Sequence, residues 1–283
     1  MNPEALKPPP SIRLIALDLD GTLLRGDRTV GARSIEALRA AHARGVEIVL
    51  ASGRMTPAME RTAEALGLDS FLISYNGAAA CGRMSQGRAR LFHRPLRADV
   101  ARELYAFAQS RGLQVNYYLD DVIVSEDGPH LRPWIEIYRE RTGSPYKFVE
   151  SLEDYLHREP TKLLLVMEPS LREEIAAHWT ARLGTRAAVL KTDPEYLEFL
   201  APGATKGEAV SFIASELEIK PGEIMAMGDG ENDVSMLQLA GWGVAPANAG
   251  AHARAAAKAV TTNDHEHDAV AEAVERWVLS GTR

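Results

Sequence analysis

Apolar and polar positions along this chain alternate between two periods. Short apolar runs near 12–17, 46–51 and 71–74 read as buried strands, and amphipathic stretches near 31–44 and 57–66 lie between them with helical spacing. This β-α-β-α-β order implies a parallel sheet, because parallel neighbours need a crossover long enough to hold a helix. The rhythm returns near the end, with strands near 223–227, 241–244 and 258–260 and helices near 206–218, 233–239 and 266–279. Between the halves, from about Gly82 to Glu195, strands come in pairs, such as Leu113–Leu119 beside Val122–Ser125, separated by helices over 98–110 and 169–183. The expected fold class is therefore α/β, with a parallel sheet flanked by helices in a core of 1–81 and 196–283, interrupted by an inserted α+β domain over 82–195. The small-residue segment Gly77–Gly87 and Pro202-Gly203 read as its linkers, and its position beside the sheet predicts a lid over the catalytic face.

The strands matter for how they end. Ile12–Leu17 runs into Asp18-Leu19-Asp20-Gly21-Thr22, and Glu223–Met227 runs into Gly228-Asp229-Gly230-Glu231-Asn232-Asp233. In an open α/β sheet the ligand crevice lies beyond the carboxyl ends of the strands, so two distant strands are expected to supply one acidic pocket. Carboxylates gathered there repel unless a positive charge sits among them. A hard dication answers that need, and magnesium, which takes oxygen ligands and keeps several waters, fits Asp18, Asp229 and a backbone carbonyl. Structural zinc does not fit, because the chain has one cysteine, Cys81, and neither a CxxC nor an HExxH spacing.

Two further segments point at the same edge. Val46–Ala51 ends in Ser52-Gly53-Arg54, which offers a hydroxyl, backbone amides and a guanidinium beside a helix start suited to phosphate. In Gly203-Ala204-Thr205-Lys206-Gly207 a lysine opens a helix; it is not a Walker loop, since the glycine before the lysine and the Ser/Thr after it are missing.

Composition narrows the setting. A chain of 283 residues with 46% apolar and 25% charged residues can bury a sizeable core, and its length favours two domains. The net charge of −7 argues against a nucleic-acid partner. Arg83, Arg88, Arg90, Arg94 and Arg97 form a local basic stretch, for which a solvated surface is the favoured reading over an anion site. Pro8-Pro9-Pro10 reads as a loose leader without signal-peptide order, no run reaches the roughly 20 apolar residues of a membrane span, and a lone cysteine suits a reducing compartment, so a cytoplasmic location is expected. His265-Glu266-His267 offers ligand types two apart, which do not share a helix face, and reads as a surface loop. Cys81 reads as inert, and Trp134, Trp179 and Trp277 as packing residues.

Asp18-Leu19-Asp20-Gly21-Thr22, Ser52, Lys206 and Gly228–Asp233, in this order and spacing, resemble the four motifs of the haloacid dehalogenase (HAD) superfamily in its phosphatase form. Ser74-Tyr75-Asn76-Gly77-Ala78 and the length of the insertion resemble the Cof-type branch with its C2-type cap, and the likeness spans about Ile12 to Trp277. The resemblance implies a Rossmann-like core and a magnesium-dependent phosphoric monoester hydrolase. Asp18 would be the nucleophile, Asp20 the acid and then base, and Ser52 and Lys206 the holders of the phosphoryl oxygens. Magnesium would sit on Asp18, the Asp20 carbonyl and Asp229, with Asp233 holding metal waters or Lys206. Gly53, Arg54, Asn76 and Asn232 are substrate-binding candidates, although a structural role fits the last three equally well. The implied substrates are small phosphate esters, with sugar phosphates first, and specificity residing in the cap; a monomer or homodimer is expected. A phosphomutase, or a narrow phosphatase for a flavin, pyridoxal or phosphoglycerate ester, is the alternative within the enzyme class, and a non-catalytic phosphate-binding protein the alternative outside it. One departure stands out: where relatives often carry Asp-Gly before the last helix, this chain has Glu266-His267-Asp268-Ala269, which puts the local turn in question.

Overall fold

The computed structural model describes residues 11–280, so the Pro8-Pro9-Pro10 leader lies outside the described residues. Two compact units emerge, the first running up to Phe92 and again from Thr205, the second from His93 to Ala204.

In the first unit, β1 (Leu14–Asp18), β2 (Glu47–Ala51) and β3 (Phe71–Ser74) alternate with α1 (Ala32–Ala43) and α2 (Thr56–Leu66). The edge is extended by β4 (Ala79–Cys81) and β5 (Arg90–His93). The second unit contains α3 (Ala98–Arg111), β6 (Gln114–Leu119), β7 (Val122–Glu126), α4 (Arg132–Thr142), β8 (Tyr146–Val149), β9 (Lys162–Val166), α5 (Pro169–Leu183), β10 (Ala188–Lys191) and β11 (Tyr196–Leu200). The chain returns with α6 (Lys206–Glu216), β12 (Ile224–Met227), α7 (Val234–Leu239), β13 (Trp242–Ala245), α8 (Ala251–Ala256), β14 (Ala259–Val260) and α9 (Ala269–Val274).

The first sheet has the order β14-β13-β12-β1-β2-β3-β4-β5 and is parallel from β14 to β3. Strand β1 is buried along its whole length, as a parallel strand covered on both faces must be. Its alternation feeds two cores. Ile15 and Leu17 join Leu38 and Met59 with Val270 and Val274 on one face, while Leu14 and Ala16 join Val210, Ile213 and Met236 on the other. Register then decides the site: Asp18 is level with Ala51 and Leu17 with Met227, so Asp18, Ser52 and Gly228 leave the sheet at one edge.

The second unit is a six-stranded sheet of order β10-β11-β9-β6-β7-β8. Alternate residues Val115, Tyr117, Leu163, Leu165, Leu197 and Phe199 pack with Leu104 and Trp179 in an apolar core. Several intervening positions are polar: buried Lys162 pairs with Glu198 at 3.0 Å, and the Tyr118 hydroxyl lies 2.5 Å from that of Tyr138 on α4.

Three expectations shift. The division falls at 92/93 and 204/205 rather than at 82 and 195, because β5 extends the first sheet beyond β4 and β11 pairs onto β9 in the second. Helix α4 was not anticipated; only Ile135 and Tyr138 along it are buried, too few to write an apolar stripe. The helix expected over 266–279 is broken into a 3₁₀ turn at His265–His267, α9, and a π turn at Glu275–Leu279. Asp268 causes the first break. At φ 62° it takes the left-handed conformation usual for glycine or Asn/Asp, and its carboxylate accepts from Arg25 (3.0 Å) and Ser34 (2.9 Å).

Four arginines of the basic stretch are tethered to protein groups: Arg83 to Glu47 at 2.5 Å, Arg88 to the Ser70 carbonyl, Arg94 to the Gly203 carbonyl at 2.7 Å, and Arg97 to Asp99 at 2.9 Å. Among the described residues no helix is long and apolar enough to cross a membrane.

Candidate active site

The chain leaves β1 at Asp18 and turns sharply, with the Leu19 carbonyl accepting from the backbone of Leu23 (3.0 Å) and Leu24 (2.8 Å). The turn needs glycine at 21. Gly21 has φ +80°, and a Cβ there would lie 2.5 Å from Asp229 Oδ2. This close approach brings the second acidic turn against the first, and Thr22 Oγ1 closes it by donating to Asp229 Oδ1 at 2.9 Å.

Lys206 is the first residue of α6, a helix capped by Thr205, whose hydroxyl accepts from Glu208 N–H at 3.2 Å. Its side chain is 0% exposed. The ammonium donates to Asp18 Oδ1 at 2.5 Å and to Asp233 Oδ1 at 2.6 Å. The other Asp233 oxygen accepts the backbone N–H groups of Asp229 (3.0 Å) and Gly230 (2.8 Å). Asp233 therefore braces the turn that carries Asp229 and anchors the lysine at once.

Burial, and then the charges of Asp233 and Asp229, push the Asp18 carboxyl well above the ordinary carboxylate value even with Lys206 opposing them. Burial also raises Asp229, with the Asp233 charge adding to it. For Lys206 burial works the other way, yet Asp18 and Asp233 outweigh it and raise its pKa. One ammonium thus faces three carboxylates. One oxygen each of Asp18, Asp229 and Asp233 lies within 4.8 Å of the others, an all-oxygen donor set with an uncompensated negative charge that fits a hard dication. The Asp20 carboxylate is not in this cluster. It is largely exposed and is gripped by both arms of Arg54, Nε reaching Oδ2 at 2.8 Å.

Ser52 is buried, and its hydroxyl accepts from Arg54 N–H at 3.2 Å. Asn76 sits in the left-handed region at φ 55°, its N–H bonded to the Ser52 carbonyl at 3.0 Å, and its side-chain oxygen accepts from Asn232 Nδ2 at 2.9 Å. A Cβ at Gly53 would come within 3.0 Å of that same Asn76 oxygen. Asn76 and Asn232 thus tie the Ser52 turn to the Asp229 turn. Sequence reasoning missed two contributors: Thr22, which lay visible inside the first motif but had no role attached, and Asn248, whose side chain donates to the Gly21 carbonyl at 2.8 Å and which no spacing announces.

A parallel sheet that gathers carboxylates, a buried lysine and a serine beyond its carboxyl edge has the ligand crevice of an open α/β enzyme. The chain belongs to the haloacid dehalogenase-like hydrolases, whose family model matches residues 15–274. It is a phosphatase of that superfamily, a phosphoric monoester hydrolase. It is 30% identical over 243 residues to the HMP-PP phosphatase of Cronobacter sakazakii, covering 83% of this chain and 84% of that protein. It is 29% identical over 279 residues to the chloroplastic endoribonuclease YBEY of Arabidopsis thaliana, covering 95% of this chain but 47% of that longer protein. The crystal structure of a haloacid dehalogenase-like hydrolase from Bacteroides thetaiotaomicron superposes with a TM-score of 0.84 at 29% identity, covering 94% of this chain and 99% of that one.

Proposed function

We propose that the chain hydrolyses small phosphorylated metabolites, sugar phosphates first among them, with magnesium and through an aspartyl-phosphate on Asp18. The observation that carries this reading is the fixed Asp18 carboxylate, aimed by its 2.5 Å bond to a fully buried lysine and flanked by Asp229 and Asp233. Asp18 and Asp229, with the Asp20 carbonyl and Asp233, would hold the cation. Bound there, it supplies the positive charge that offsets the carboxylates and polarises the phosphoryl group.

The residues divide the chemistry. An Asp18 oxygen attacks phosphorus as the bond from phosphorus to the ester oxygen breaks, and Asp20 gives its proton to that leaving oxygen. Asp20, now a carboxylate, takes a proton from water, which attacks the aspartyl-phosphate and releases phosphate while restoring Asp18. Ser52 and Lys206 stabilise the phosphoryl oxygens, a charge-stabilising role central to phosphoryl transfer. Arg54, bidentate on Asp20, is placed to exchange that carboxylate for substrate anion. Gly53, Asn76 and Asn232 shape the phosphate end of the pocket. Substrate choice is assigned to the inserted unit, the setting to the cytoplasm, and the assembly to a monomer or homodimer without nucleic acid.

The test is phosphate release from a panel of phosphorylated metabolites, with magnesium or with EDTA, by the native chain and Asp18→Asn. The amide keeps the shape of Asp18 and loses the attacking charge. Turnover should vanish in the variant and in EDTA, and return when magnesium is restored. Appreciable hydrolysis by pure Asp18→Asn would exclude the covalent mechanism.

A further inference from the structure

The loop from Pro246 to Gly250, between β13 and α8, reaches both acidic turns. Gly250 N–H donates to the Asp229 carbonyl at 2.9 Å, and Asn248 Nδ2 donates to the Gly21 carbonyl at 2.8 Å. The other end of the Asn248 amide, Oδ1, accepts from His265 N–H at 3.0 Å. A carbonyl can only accept and a backbone N–H can only donate, so the two partners fix which way the amide points. Ala247 N–H, bonded to the Asn263 carbonyl at 3.1 Å, anchors the loop to the same downstream segment.

Gly21 directly follows Asp20 and carries the positive φ that turns the chain between the two aspartates and Thr22. The Asp20 side chain is 58% exposed, so packing does little to hold it. Arg54 grips its carboxylate, but where its backbone sits depends on the peptide that joins it to Gly21, and the carbonyl one residue on is the group that Asn248 grips. We propose that Asn248 is a positioning residue for Asp20, holding the turn so that the Asp20 carboxyl stays in line with the leaving oxygen. The inference rests on the acid/base role assigned above to Asp20.

The chemistry supplies a selective readout. Protonation of the leaving oxygen matters greatly for an alkyl ester, whose alkoxide is a poor leaving group, and little for para-nitrophenyl phosphate, whose phenolate leaves without help. Asn248→Asp keeps an acceptor for His265 N–H but sets a carboxylate against the Gly21 carbonyl; Asn248→Ala removes both bonds. Both should lose about tenfold or more in kcat on the best alkyl phosphate of the panel and less than about threefold on para-nitrophenyl phosphate, with KM unchanged within about twofold. The ratio of the two rates in one sample does not depend on how much of that sample is folded, so partial unfolding does not blur the result. Equal losses on the two esters, or native rates on both, would overturn the assignment. Failure of the proposed function looks different: it appears as no phosphate release by the native chain on any ester, or as hydrolysis by Asp18→Asn, whatever Asn248 does.

Discussion

At the scale of single residues, the site is a balance of buried charge. Lys206 can stay charged at zero exposure because two carboxylates lie within 2.6 Å of its ammonium, and those carboxylates tolerate burial because the ammonium is there. The third carboxylate, Asp229, accepts from the Thr22 hydroxyl while the ammonium bonds Asp18 and Asp233, so without metal its charge is less compensated than theirs. The raised values of Asp18 and Asp229 mean that, above the ordinary value of 3.8, the folded chain holds protons the unfolded chain has lost. Their contribution to stability is therefore full below about pH 3.8 and disappears as pH rises through the raised values. In EDTA, Asp229→Asn should unfold at a higher urea concentration than the native chain at about pH 7, with the advantage shrinking towards about pH 4. Saturating magnesium should reverse the order at neutral pH, because the cation stabilises the chain that binds it. Urea midpoints at both pH values, with and without metal, check this; a native chain that is the more stable in EDTA at neutral pH would show that the carboxylates are already compensated.

At the scale of elements, strand ends and tight turns place these residues. The Tyr75-Asn76-Gly77 turn after β3 runs through three positive φ values, 52°, 55° and 100°, a costly path for the first two. It persists because Asn76 is bonded on both sides and because Gly77 lies against the backbone of Thr205, the cap of α6. A Cβ at 77 would collide with the Thr205 carbonyl and displace the first turn of the helix that carries Lys206. Gly77→Ala should lower stability by about 2 kcal/mol or more and reduce kcat with it, read from urea unfolding and phosphate release on the same preparation. A stable, fully active variant would show that the turn and α6 can separate. The same segment shows where sequence reading stops. Ser74–Ala78 was visible as a motif and Gly77 as a linker residue, but the Thr205 backbone against it is 128 residues away and no local pattern could show that approach.

At the scale of the whole molecule, the chain builds two cores from different periodicities. The first unit contains the residues assigned to the chemistry, among them Asp18, Asp20, Ser52, Lys206, Asp229 and Asp233, and has its own sheet and apolar clusters. The second has a separate core and a sheet of mainly antiparallel pairs. Replacing His93–Ala204 by a short Gly/Ser linker should leave measurable hydrolysis of para-nitrophenyl phosphate and flatten the ranking of metabolites in the panel. Comparison of kcat/KM across that panel, on a shortened chain shown by circular dichroism and cooperative unfolding to be folded, checks this; an unchanged ranking would place specificity in the first unit.

What the sequence determined by itself was whatever depends on near neighbours. Period and run length disclosed the six parallel strands of the first sheet but not β4 or β5, and the acids at two strand ends pointed to Asp18, Asp20 and Asp229, because strand direction alone carries such residues to the carboxyl edge of a parallel sheet. Lys206, Ser52 and Asp233 were legible through motif order. Tertiary structure alone decided the contacts between distant segments: Arg54 on Asp20, Asn76 on Asn232, Asn248 on the Gly21 carbonyl, and Asp268 in a glycine-like conformation stapled to Arg25 and Ser34. It also moved the division between units to 92/93 and 204/205, since β5 and β11 are assigned by their hydrogen-bond partners rather than by composition. The physical reason is common to all of these. Periodicity encodes which face of an element is buried, whereas a single hydrogen bond across 34 to 243 residues depends on where the whole chain has already folded.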